Sequence, residues 1–387
     1  MNKGIRFRLY PNKKQQVLIN QTLGCCRLIY NKGLSFRKES FESGSSIGYK
    51  ETSAMLTELK KDETYFFLKN ADSIALQQSL RDLDTAYKRF FKHLSEYPVF
   101  KSKHDHSQSY RTINQNNSIR ISGKYIKLPK IGYVKFRQSM DVGHINSVAV
   151  ERKASGKYFI VLNVDFEPEV LPLSPRKIGI DVGIKEFYTD SNGNAVHNPK
   201  YLEKSMKKLV HEQRKLSHMI ESHIVDYKTV GNKRYPIYDK PLKECKNIEK
   251  QRKKIAKIHE RIANQRNDFL QKESTKLIKE NQIISVEDLN VEGMLKNHKL
   301  AKAISSISWS KFFTMLEYKA RWYGRTVIKV PTFYPSSQMC SACGYKNTEI
   351  KNLKIRKWTC PQCGMAHDRD LNASINILSK GLSLILA

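Results

Sequence analysis

The sequence predicts a multidomain α+β protein: a small β-barrel carrying a helical insert, then an α/β half interrupted by a zinc ribbon. Three observations lead there. Short alternating runs punctuated by turns crowd residues 108–166, the density of a small barrel. Beyond Pro168, Pro172 and Pro175 the pattern becomes strand, long helix, strand, helix, strand, which is α/β alternation. Near the end, Cys340-x2-Cys343 and Cys360-x2-Cys363 stand sixteen residues apart, the spacing that sets four thiolates at the corners of a tetrahedron.

Bulk properties narrow the class. The 387 residues suffice for two or three domains with real cores, and 40% hydrophobic content excludes wholesale disorder. Lys and Arg number 69 against 37 Asp and Glu, a net charge of +32. Such a field attracts polyanions and makes binding salt-dependent through counterion release. No stretch approaches the ~20 apolar residues that cross a bilayer, and Met1-Asn2-Lys3-Gly4-Ile5-Arg6-Phe7-Arg8 has no signal-peptide core. No membrane is expected as a partner. Cys25, Cys26 and Cys245 are left over as an odd set suited to a reducing cytosol, and they are assigned no role.

Taken in order, Ile5, Phe7 and Leu9 alternate with Arg6, Arg8 and Tyr10, so residues 3–10 read as a strand that could complete the barrel. Pro11 ends it, and a helix follows over roughly 12–40. Leu76, Leu80, Leu83, Tyr87 and Phe90 place a core-facing stripe on a second helix over 72–93. Ala154-Ser155-Gly156 turns a hairpin between the runs 147–150 and 158–162. Helical propensity returns over 201–220 and 243–280. On the latter, Ile255, Ile258, Ile262 and Phe269 form one stripe, while Lys254, Lys257 and Arg261 form a basic face available to a nucleic-acid backbone.

Three acidic stretches carry the chemistry. In Lys177–Ile184, Ile178, Ile180, Val182 and Ile184 share one face, and Asp181 shares the other with Gly179 and Gly183. Glycines on either side would let backbone and phosphate approach that carboxylate closely. Ile283–Leu289 looks like a buried strand entering Glu287 and Asp288. Adjacent strand residues point to opposite faces, and parity alone does not choose between them. Asp368 is a plausible N-cap, whereas Asp370 shares its helix face with Ala373, Ser374 and Ile377, small enough there for close packing on a sheet. Carboxylates meeting at the ends of strands and a helix make an oxygen-rich pocket for two Mg²⁺ or Mn²⁺ ions.

Gly179-Ile180-Asp181-Val182-Gly183, Val286-Glu287-Asp288-Leu289, Ser336-Ser337-x-x-Cys340-x-x-Cys343-Gly344 and Asp368-Arg369-Asp370-Leu371-Asn372-Ala373 strongly resemble TnpB. These are the OrfB-type proteins of small insertion sequences, similar to the ancestors of type V CRISPR effectors. The match is dense over about 176–387, where Asn264-Gln265-Arg266-Asn267-Asp268-Phe269 looks like the family's bridging helix. It is looser upstream, at Tyr10-Pro11-Asn12, Ala75-Leu76-Gln77-Gln78 and Tyr97-Pro98-x-Phe100-Lys101.

The resemblance implies a layout. A wedge β-barrel would occupy 1–10 and 96–170, and a helical recognition domain 11–95. A RuvC-type RNase H-like nuclease domain would occupy 171–335 and 366–387, with the zinc ribbon at 336–365. It maps the catalytic acids onto Asp181, Glu287 and Asp370, choosing Glu287 over Asp288, and offers Gln77 and Gln78 for reading a motif beside the target. It also implies a guide RNA from the protein's own element, cleavage of double-stranded target DNA, and residence in a prokaryotic cytoplasm among nucleic acids. The ribbon zinc would be structural, since four sulfurs leave no position for water. Lys346, Lys351, Lys354, Arg356 and Lys357, interleaved with Tyr345 and Trp358, suit phosphate contact and base stacking. The rival readings are a guided binder without cleavage that acts as a repressor, a transposase joining strands itself, and, more distantly, a zinc-ribbon transcription factor.

Overall fold

A computed structural model describes residues 1–105, 107–352 and 354–386. The chain divides at Glu167/Pro168 into two compact units, the second of which begins with the proline-rich segment. Among the described residues no helix is long and apolar enough to cross a membrane.

The first unit opens with β1 (Asn2–Tyr10). Helices α1 (Lys13–Glu42), α2 (Tyr49–Leu59) and α3 (Ser73–Phe91) follow. Six further strands complete it: β2 (Ser107–Ile113), β3 (Arg120–Ser122), β4 (Tyr125–Leu128), β5 (Gly132–Arg137), β6 (Ile145–Lys153) and β7 (Tyr158–Asp165). Pro11 ends β1, and Asn12 with Gln15 forms a capping box that starts α1. Asp72 caps α3, whose Leu76, Leu80, Leu83 and Tyr87 are buried as their spacing requires.

The strands form one antiparallel sheet in the order β2-β6-β7-β1-β5-β4-β3. β1 lies centrally, pairing with β7 over Asn2–Leu9 but with β5 only over Arg8–Tyr10. No pairing joins β2 to β3 among the described residues, so the sheet is a half-barrel rather than the closed barrel expected. The reason is packing. Ile19, Leu23 and Ile29 of α1 with Leu76 and Leu80 of α3 share one core with Phe7, Leu9, Val134, Ile160 and Leu162 of the sheet. Helices cover the face that a closed barrel would have filled with its own strands.

The second unit contains β8 (Lys177–Val182), β9 (Glu186–Asp190), β10 (Ala195–His197), α4 (Tyr201–Glu221), β11 (Ile224–Val230), β12 (Lys233–Tyr238) and α5 (Lys246–Glu280). It continues through β13 (Ile283–Glu287), α6 (Val291–Leu295), α7 (His298–Ile307), α8 (Trp309–Tyr323) and β14 (Thr326–Val330). It ends in β15 (Lys357–Thr359), β16 (Ala366–Asp368) and α9 (Arg369–Leu386). Its main sheet has the order β10-β9-β8-β13-β14, with β8, β10, β13 and β14 running one way and β9 alone the other.

One face of that sheet packs Ile178, Ile180, Ile284 and Val286 against Leu270, Leu277 and Ile278 of α5 and Phe312 and Leu316 of α8. The opposite face is covered by α9, whose Ala373, Ser374 and Ile377 are fully buried. The period-two alternation read from the sequence is therefore the division between two helical layers. β11 and β12 form a hairpin, exposed on both faces, that the sequence reading passed over; its turn is Gly231-Asn232.

Candidate active site

The site is built where β8 and β13 end. These neighbouring strands run parallel with Ile180 beside Val286, so Asp181 and Glu287 are next in register, one strand spacing of about 4.8 Å apart. Ser285 and Glu287 share the face that α9 covers, because Ser285 lies directly against Gly381 of α9. Asp288 turns the other way, accepting a hydrogen bond from the Thr332 hydroxyl and facing Lys329 at 3.9 Å.

Asp370 reaches the same corner from the first turn of α9. Asp368 is the cap, its Oδ1 accepting from the N–H groups of Asp370 and Leu371. The helix crosses β8 so closely that a Cβ on Gly179 would lie 2.1 Å from Ser374 O and 2.7 Å from Leu378 N. The glycine before Asp181 thus makes room for a helix backbone, rather than for a phosphate as its spacing suggested. Gly381 repeats the device from the helix side, where a Cβ would lie 2.1 Å from Ser285 Oγ. Two glycines set the depth of α9 and hence the height of Asp370 over the strand ends.

Electrostatics ties the three acids together. Burial pushes the Asp181 carboxyl well above the ordinary carboxylate range. The negative charges of Glu287 and then Asp370 raise it further, while Arg369 and Arg356 oppose the rise. Burial also raises Glu287, against the Ser336 hydroxyl, which donates to its Oε1. Arg356 Nη1 lies 3.1 Å from Oδ1 and 3.2 Å from Oδ2 of Asp370. Arg369 is buried and spoken for, donating from Nη1 to Asn352 O at 3.0 Å.

The ribbon lies against this corner. Its four sulfurs lie within 4.8 Å of one another, with Cys340 to Cys363 and Cys343 to Cys360 at 3.6 Å. A tetrahedron with Zn–S arms of 2.3 Å has edges of roughly 3.8 Å, so the donors fit one zinc. Two matching turns hold them: the Cys340 N–H donates to Tyr345 O and the Gly344 N–H to Cys340 O, and Cys360, Met365 and Gly364 repeat the pattern. Gly344 and Gly364 both take positive φ, +79° and +72°, which L side chains adopt with strain. Among the described residues the three carboxylates do not gather as tightly as the four thiols.

Asn372 and Asn376 clamp the ribbon to α9. Asn372 Oδ1 accepts from the Ser341 N–H, and both Nδ2 groups donate to Met339 O, that of Asn376 also to Ser336 O. The sequence reading missed these roles, although two asparagines four apart on the face that carries Ala373 and Ile377 were a visible signal.

Other expected residues fall variously. Lys254, Lys257 and Arg261 are exposed on α5, Lys254 with its Nζ 2.7 Å from Glu212 Oε1. Lys357 is exposed. Trp358, expected to stack on bases, is only 8% exposed and packs against His367 with ring centres 4.7 Å apart; it belongs to the ribbon's small core with Ile350. Gln77 is exposed, whereas Gln78 is 4% exposed within the helical layer.

Residues 159–298 match a family model described as "Probable transposase", of the OrfB proteins of IS605-type elements. Residues 309–377 match one described as "Cas12f1-like, TNB domain", and 1–46 one described as "Helix-turn-helix domain". That last stretch folds here as β1 and one uninterrupted helix, α1. A Streptomyces pristinaespiralis protein named as a candidate RNA-guided DNA endonuclease is 35% identical over 99% of this chain and 90% of its own. InsQ of Escherichia coli K12, named in the same way, is 30% identical over 99% of this chain and 93% of its own. A solved Cas12f1–sgRNA–target DNA complex covers 98% of this chain and 99% of the matched one at 16% identity, with a TM-score of 0.35. With identity at this level over nearly the full length of both chains, the protein belongs to the TnpB, or OrfB, family.

Proposed function

We propose that this protein is an RNA-guided DNA endonuclease of a mobile element, and that Asp181, Glu287 and Asp370 hold the divalent cations of a RuvC-type centre. The observation that carries the site is the register of β8 and β13. It stands two carboxylates side by side at parallel strand ends, on the face where α9 delivers a third. The strand order β10-β9-β8-β13-β14, in which β9 alone runs against the other four, supports an RNase H-like reading of the sheet. Guidance by RNA and double-stranded DNA as target come from the relatives' names and from the motifs shared with TnpB.

The donor set fits Mg²⁺ or Mn²⁺: hard oxygen ligands, like-charged, half-buried and mutually repelling without a cation between them. Two such ions, when bound, activate a water and stabilise the leaving oxygen of a phosphodiester. The chain's own contribution is placement. The sheet fixes Asp181 and Glu287, the Ser336 hydroxyl orients the Glu287 carboxylate by binding one of its oxygens, and α9 sets Asp370. Sequence specificity would rest on base pairing with the guide, while a protein of net charge +32 holds the backbone of an RNA–DNA hybrid.

The test is cleavage of a matching plasmid in Mg²⁺ by the protein purified with its native transcript. Asp370→Ala should lower cleavage by about 10²–10³-fold, the cost of losing one transition-state contact. Full activity in that variant would remove Asp370 from the site. Joined rather than cut products formed with no RNA added would replace the reading by strand transfer.

A further inference from the structure

Resting on the reading of Asp370 as a cation ligand, we propose that Arg356 is a displaceable counter-ion of the cation site. In the free protein it occupies Asp370 and weakens metal binding; when a phosphodiester lies across the acids it moves to a phosphate oxygen and stays in the site as a catalytic residue.

The argument starts from the difference between the two arginines at this corner. Arg369 is 7% exposed and its guanidinium is tied to Asn352 O and Ser337 Oγ, so it is fixed in the wall. The side chain of Arg356 is 57% exposed, and its one hydrogen-bonding partner among the described residues is Asp370. Its backbone is fixed where its side chain is not. Arg356 O accepts the Arg369 N–H at 2.8 Å, and Lys357 pairs with Asp368 across β15 and β16. The guanidinium therefore pivots about an anchored Cα that lies beside the start of α9.

An exposed arginine–carboxylate pair of this kind changes an equilibrium by only about two- to fivefold. A divalent cation, with twice the charge and inner-sphere contact, can displace it. The phosphodiester that arrives with the cations offers the released side chain a better partner, because a guanidinium binds a phosphate through two parallel N–H···O bonds. The loop that carries it lies between the two cysteine pairs, so the zinc turns hold the pivot. Zinc site and acid site, read separately in the sequence, meet in this one side chain. The consequence is a centre that holds metal weakly in the free protein and more firmly once nucleic acid is in place.

The experiment compares wild type, Arg356→Ala, Arg356→Lys and Asp370→Ala as full-length, zinc-loaded chains. Free Mn²⁺ is measured by electron paramagnetic resonance without nucleic acid, and single-turnover target cleavage is measured at saturating Mn²⁺ with the transcript bound. Arg356→Ala should bind Mn²⁺ about two- to fivefold more tightly and yet cleave at least about tenfold more slowly. Arg356→Lys should lie between on both scales. Unchanged zinc content and unchanged copurified RNA separate this from misfolding, as does the opposite sign of the two effects. Equal or weaker Mn²⁺ affinity in Arg356→Ala, or unimpaired cleavage, overturns the proposal. If Asp370→Ala binds Mn²⁺ as wild type does, the cation-site reading itself fails, an outcome distinct from a neutral Arg356→Ala.

Discussion

Asp181 shows at the scale of one residue how stability and chemistry conflict. Its carboxyl is raised by burial and by the charges of Glu287 and Asp370. A folded-state value above the unfolded one means that the folded metal-free protein binds more protons than the unfolded chain above the ordinary Asp value of about 3.9. Metal-free stability therefore falls as pH rises through that window, and the loss is present at neutral pH. Asp181→Asn removes the repulsion and keeps the shape. It should raise the metal-free melting temperature at pH 7 by about 2–4 °C, roughly 1 kcal/mol, and abolish cleavage. Calorimetry in a chelator that spares the zinc checks the first part. A melting temperature that drops would mean Asp181 is bonded favourably in the empty fold. Glu287 shows the complementary case. Strand parity left it level with Asp288, and the resemblance to TnpB chose it; Ser285, two residues earlier on the same strand face, meets α9, so Glu287 faces that helix too.

At the scale of elements, the contact between α9 and β8 governs the site. At Gly179 on β8, and at Gly381 where α9 meets Ser285 of β13, a methyl group would lie within 3 Å of backbone or a buried side chain. Gly179→Ala should cost roughly 3 kcal/mol through overpacking and lower cleavage more than stability explains, because α9 carries Asp370 outward as it shifts. Denaturant unfolding alongside single-turnover cleavage checks this; a variant of wild-type stability and rate would show that the helix yields without moving the acid. The ribbon is the second governing element. Removing zinc should unfold it, since metal binding of this type supplies on the order of 10 kcal/mol of folding free energy. The loss reaches the acids because Arg356 and the Asn372 and Asn376 clamps belong to the same contact. By contrast, the β11–β12 hairpin buries no face and its loss should leave stability unchanged.

At the scale of the whole molecule, charge is the dominant quantity. A surplus of +32 attracts polyanions, and under the proposed function these are a guide and its target. If at least six phosphates are neutralised, RNA affinity should fall by roughly 10³-fold or more between about 50 and 200 mM salt. Filter binding across that range reads the slope, and a flat response would show that the basic surface is not the binding surface.

How much was legible in the sequence follows from how local each signal is. Cysteine spacing, the helix starts near residues 12 and 72, the stripe on α3 and the alternation on β8 are written in neighbouring residues, and each appears in the structure. Asp181 also stands out locally, as an acid inside a strand, whereas the choice of Glu287 over Asp288 came from the resemblance to TnpB. What neighbours do not encode is what arrives from afar. Only the tertiary structure made Gly179 the seat of a helix, enclosed Trp358 and Gln78, replaced barrel closure by helices, and set Arg356 on Asp370. Periodicity is a property of one element and survives alone; a face acquires its meaning from whichever element packs on it, and that depends on contacts between residues far apart in the chain.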